Sequence, residues 1–156
     1  MFDLMNTRIG ALLNTARTIS FAEVWMAVFR DQRLKDQVLN WIRQDQLFNE
    51  GIDENGVVIG TYSEATEMMN PSKIAGEHYT LFDTGDFYES MFIVVLRDSI
   101  VVDADPIKVD ENGETTNLFN EYGDGIIGLT DENKTRLAQE LVERFNTEYR
   151  RLLSIN

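Results

Sequence analysis

The sequence predicts an α+β fold: a long N-terminal helix or helix pair, a small antiparallel sheet with a central hairpin, and a long C-terminal amphipathic helix. Three observations carry this. Ser20 and Glu23 have the spacing of a capping box, and Phe21, Val24, Trp25, Val28, Leu34, Val38, Trp41 and Ile42 follow at helical intervals. Met91–Leu96 and Ile100–Val102 are short apolar runs of β-formers separated by Arg97-Asp98, the pattern of a hairpin. After Thr130, Leu137, Leu141, Phe145, Tyr149 and Leu152 recur at nearly every fourth residue, while Arg136, Glu140, Arg144 and Glu148 fall on other faces.

Taken in order, residues 1–19 are expected to form an N-terminal arm carrying Arg8 and Arg17, either a short helix or, by preference, a mobile tail that orders on assembly. Residues 20–156 then make a single α+β domain. The helical run 20–49 has a possible break near Arg30–Leu34, where polar residues crowd, so it is one helix or two. Gly51, Gly56, Gly60, Pro71 and Gly76 punctuate a long connection in which Val57–Ile59 supports only a small strand. Asp83-Thr84-Gly85 reads as a structural turn in which Asp83 or Thr84 caps the next segment and Gly85 takes a backbone angle that other residues disfavour. Asp53-Glu54-Asn55-Gly56 and Asp110-Glu111-Asn112-Gly113 read as two-residue Asn-Gly hairpin turns. Leu118, Phe119 and Tyr122 suggest a short helical or irregular segment closing at Gly123, and Thr130 caps a final helix over about residues 131–153.

Composition narrows the function classes. The 156 residues include no cysteine, which excludes disulfides, thiolate metal sites and cysteine nucleophiles. His78 is the single histidine, so neither a histidine metal site nor a Ser-His-Asp triad has its partners, and a surface position is expected. No run approaches the roughly 18 apolar residues of a membrane span, so a membrane partner is not expected and the chain reads as made in the cytoplasm. The net charge of −13 argues against wrapping a phosphate backbone. That charge is uneven: residues 50–132 hold 19 of the 27 acids and only Lys73, Arg97 and Lys108, a net of −16, whereas the flanks carry 11 bases and 8 acids, a net of +3.

Three constellations invite chemical readings. Asp83-Thr84-Gly85, answered by Ile126-Ile127-Gly128, resembles the active-site triplet and later apolar-apolar-Gly of retroviral-type aspartic proteases, in which two carboxylates of a dimer share a proton. The helical share of the chain leaves little room for that all-β architecture, and the turn reading is preferred. The two acidic Asn-Gly loops place glycine fourth rather than sixth, which breaks the EF-hand spacing. Asp103 and Asp105 alternate on one strand face, where a solvated strand end is preferred over a weak divalent site.

Several phrases then occur in a fixed order: a helix ending QDQLFNEGIDENG, Tyr62-Ser63-x-x-Thr66, LFDTGDFYESMFIVV, IVVDADP, and NLFNEYGDGIIGLTDENKTRLAQEL before the last helix. This order resembles the phage virion-morphogenesis and tail-completion proteins, over roughly residues 40–153. The matching phrases are Gly51 to Gly56, Leu81 to Ser90, and Gly128-Leu129-Thr130-Asp131; Asp124–Ile127 stands where the family usually has Arg or Pro. The resemblance implies a structural component of a bacteriophage virion, a head-tail connector, neck or tail-completion protein. It also implies a homo-oligomeric ring, sixfold or twelvefold, meeting other neck, portal or tail proteins, with no catalytic residue, cofactor or metal. Candidate subunit contacts are Arg8, Arg17, Asp53, Met91, Ile93 and Asp110, on the arm, the hairpin and the acidic loops. The alternatives are a dimeric aspartic protease using Asp83, and an acidic DNA-mimic inhibitor that binds a basic partner.

Overall fold

The computed structural model of the chain describes residues 8–110 and 113–154. Helix α1 spans Arg8–Thr18, so the part of the expected arm that is described is helical, and it lies against the C-terminal helix. This corrects the preference for a tail from residue 8 onward. Helix α2, Phe21–Val28, begins with the capping box: Ser20 Oγ accepts from Glu23 N at 3.2 Å and the Glu23 carboxylate accepts from Ser20 N at 2.7 Å. The chain breaks at Phe29–Asp31, and Asp31 caps α3, Gln32–Asn40, by accepting from Arg33 N at 3.0 Å. The helical run is therefore a pair.

Helix α3 continues without a break into a π-helix, Trp41–Glu50, which sequence periodicity did not indicate. The i→i+5 bonding changes which residues share a face: Trp41, Ile42, Gln46 and Leu47 are buried, two adjacent pairs five positions apart. Gly51 ends it in the left-handed region at φ 62°. A Cβ there would stand 2.4 Å from the His78 ring, so glycine is required both for conformation and for space.

After this the connection carries α4, Glu64–Met69, and α5, Asp86–Ser90. Strands β1, Phe92–Val95, and β2, Ile100–Asp103, pair antiparallel from Phe92 opposite Asp103 to Val95 opposite Ile100. Strands β3, Ile107–Val109, and β4, Thr115–Asn117, form a second hairpin. Helix α6, Leu118–Tyr122, closes at Gly123; a 3₁₀ turn, Asp124–Ile127, leads to α7, Asp131–Ser154. Thr130 caps α7, its hydroxyl accepting from Asn133 N at 3.3 Å.

The acidic turns depart from expectation. Asp53 N donates to Val57 O at 2.9 Å, Gly56 N donates to Asp53 O at 3.0 Å, and Gly56 has φ 73°. This is a three-residue loop with glycine at a left-handed bulge, not a two-residue turn. The second loop repeats the device: Asp110 N donates to Glu114 O at 2.9 Å and Gly113 has φ 82°, while Glu111 and Asn112 lie outside the described residues. In both, the leading aspartate accepts a second bond from the residue four positions on, Val57 N or Glu114 N.

The core joins α2, α3 and the π-helix to α5, the 3₁₀ turn and the start of α7. Leu34, Val38, Ile42, Leu47 and Ile126 are fully enclosed. The apolar stripe of α7 is buried at Leu137 and half-buried from Leu141 to Leu152, where it packs on α1 and α2; Phe21 stacks on Phe145 with ring centroids 5.2 Å apart.

Candidate subunit-contact site

Two of the phrases that carried the family resemblance, Gly51–Gly56 and Gly128–Asp131, are brought into contact. Glu54, within the Gly51–Gly56 phrase, donates its N–H to Gly125 O at 2.9 Å and lies over Gly128, where a Cβ would stand 2.7 Å from the Glu54 Cβ. Gly128 is thus fixed by close approach rather than by its φ of −78°. Beneath them Gln46, 2% exposed, donates Nε2–H to Gly128 O at 2.8 Å, and its Oε1 accepts from Thr130 N at 3.1 Å and from Asn133 Nδ2 at 2.8 Å. Asn133 passes the network to Arg136, which donates to Asn133 Oδ1 at 3.0 Å and to Asp45 at 3.2 Å while covering the Trp41 ring at 4.7 Å. The Leu81–Ser90 phrase reaches the preceding π-helix instead, Phe82 meeting Phe48 edge-on at 5.9 Å. His78 is partly exposed: it packs on Gly51 and its Nε2–H donates to Phe48 O at 3.1 Å.

Asp83 sits between two lysines, Lys108 at 2.8 Å and Lys73 at 3.3 Å. The hydrogen bond from Lys108 foremost, opposed by partial burial and aided by both positive charges, holds its carboxyl below the ordinary value of 3.8. Thr84 donates to Asp86 at 2.7 Å, and Gly85 leads into α5 at φ 97°, as a positive-angle turn requires. Just before it Leu81 takes φ 53°, an uncommon angle for a side-chain-bearing residue, beside the bond from the buried Tyr88 hydroxyl to Thr80 O. Tyr62, Tyr79, Tyr122, Lys73, Asp83 and Lys108 border a cavity of about 260 Å³. Burial, helped by Glu121, pushes the Tyr122 phenol up to about 12.

The candidate contact residues divide. Arg8 and Arg17 are exposed on α1, and Asp110 is exposed at its loop. Asp53 is half-buried; burial opposes its ionisation, but N–H groups of Val57 and Asn55 hold its carboxyl below the ordinary value, so its work is inside its own turn. Met91 and Ile93 face the wrong way for a contact: Met91 is 3% exposed, and Ile93 packs with Val95, Ile100 and Val102 toward the core. Parity is the reason. In a strand successive side chains alternate, so the free face of this hairpin is Phe92, Val94 and Val101, with Leu96 beyond the end of β1. Asp103 and Asp105 each accept a nearby backbone N–H, from Ala104 at 2.8 Å and Ile107 at 2.9 Å. Among the described residues no group of three or more metal-ligating side chains converges.

Comparison with protein-family models, with curated proteins and with solved structures finds no match.

Proposed function

We propose that this chain is a structural subunit of a bacteriophage virion, part of a neck or tail-completion ring, which acts by self-association rather than turnover. The observation that carries the reading is the meeting of two of the resembling phrases: Gly51–Gly56 docks on the turn at Gly128, and Gln46 of the helix before it binds Gly128 and Thr130. The exposed apolar side chains Phe92, Val94 and Val101 on the outer face of β1–β2, uncovered by any of the described residues, further support a role in assembly.

The lysines on Asp83 weigh against the protease alternative. A shared-proton pair needs a carboxyl that holds a proton at working pH, whereas Lys73 and Lys108 favour the ionised form. The genetic test is a phage carrying a stop codon early in this reading frame. Filled heads and finished tails that fail to join are expected; normal yields of intact particles would overturn the proposal.

A further inference from the structure

We infer that residues 81–84 form a strap with two positions, held shut in this structure by Asp83 between Lys73 and Lys108, and opened when Leu81 leaves its left-handed backbone angle. The inference does not depend on the assembly reading.

Both ends of the strap are fixed. At Thr80 the Tyr62 hydroxyl accepts from the backbone N–H at 3.2 Å, and the buried Tyr88 hydroxyl donates to the backbone carbonyl. At Gly85, which is buried at φ 97°, the carbonyl accepts from Glu89 N at 2.9 Å and α5 begins. Between these anchors residues 81–84 make no backbone–backbone hydrogen bond among the described residues. Their ties are local or made by side chains. Phe82 N donates to Thr80 Oγ1 at 3.2 Å, Thr84 Oγ1 donates to Asp86 at 2.7 Å, and the Phe82 ring meets Phe48 and Tyr88 edge-on while 42% exposed. A segment tied at its ends and free of ladder or helix bonds between them can move by itself while the rest of the fold stays closed.

The middle of the strap sets two effects against each other. Leu81 sits at φ 53°, the one residue other than glycine with a positive φ among those described. A side chain at that angle crowds the following carbonyl, so the closed position stores backbone strain. Opposing the strain is the clasp, in which Lys108 Nζ meets one oxygen of Asp83 at 2.8 Å and Lys73 Nζ meets the other at 3.3 Å. The Asp83 side chain is 41% exposed, and water weakens so open an ion pair; the clasp and the apolar packing of Leu81 therefore hold the strained angle by a narrow margin. There is also space to move into. Two cavities, of about 260 and 120 Å³, lie beside the strap, and Leu81, Asp83, Lys108 and Leu118 line both, so opening the clasp removes part of the wall they share.

The strap is tested in the full chain by NMR, with couplings that report the sign of φ at Leu81 and with hydrogen exchange at the Phe82 amide, the β1 amides serving as internal reference. In Asp83→Asn, and separately in Lys108→Met, the Leu81 couplings are expected to shift toward those of a negative φ. Phe82 exchange should rise about fivefold or more while β1 exchange stays unchanged, a factor set by the loss of an exposed ion pair. A bridge that merely stabilised the fold would leave the Leu81 angle where it is. Couplings that keep their wild-type values in both variants would overturn the inference, and so would exchange that rises equally in β1.

Discussion

Gln46 is a neutral side chain whose amide meets three groups from the segment that opens α7: Gly128 O, Thr130 N and Asn133 Nδ2. Gln46→Leu keeps the volume but leaves those groups without partners in a dry site, at a cost of about 3 kcal/mol. Urea unfolding of the two proteins measures it. Asp83→Asn, by contrast, removes ion pairs that are 41% exposed on the aspartate side, and after screening costs about 1 kcal/mol or less. Gly51 and Gly76 separate two causes of glycine dependence. Both have positive φ, 62° and 85°, but a Cβ at Gly51 collides with His78 whereas one at Gly76 meets nothing within 4 Å. Gly76→Ala should cost about 1 kcal/mol from backbone strain alone. Gly51→Ala should cost about 2 kcal/mol more, and a thermal or urea midpoint for each variant decides it.

At the level of elements, the connection and the β3 strand are tied by the Lys73–Asp83–Lys108 bridge. Because the folded carboxyl of Asp83 lies below its ordinary value of 3.8, its stabilisation is complete above that pH and is lost as pH falls through the depressed value. Wild type should therefore lose more stability between about pH 5.5 and about pH 3 than Asp83→Asn does, when urea midpoints of both are compared. Parallel loss in the two proteins would show that the bridge contributes nothing. Elements built from local rules were legible in the sequence. The capping box at Ser20, the break before α3, the first hairpin and the stripe of α7 depend on residues within a turn or two of one another. The π-helix was not legible, since its bonding register follows from what Trp41, Ile42, Gln46 and Leu47 pack against. The free face of β1–β2 was misassigned for a related reason: Phe92–Leu96 has no polar alternation, so periodicity offered no parity to read. Gln46 and the two lysines were missed because their partners lie 82 and more residues away for Gln46, and 10 residues away or on another strand for Asp83.

For the whole molecule, the division between the −16 segment and the +3 flanks survives folding largely uncompensated. Among the ion pairs between described side chains, Asp110 apart, Lys134 with Asp131 is the one that joins a flank base to an acid of the middle segment. Asp31 and Asp45 take Arg144 and Arg136 within the flanks, and Asp83 takes both lysines within the middle. Exposed Arg8 and Arg17 on α1 are thus available to a neighbour's acidic loops, and such contacts weaken as salt rises because screening acts within about 8–10 Å at moderate ionic strength. The most direct measurement of the central claim is the copy number of this chain in purified virions, obtained by quantitative mass spectrometry and by imaging of the neck. The account predicts a fixed multiple of the ring symmetry at the head-tail junction. Virions that contain none of the chain would contradict it.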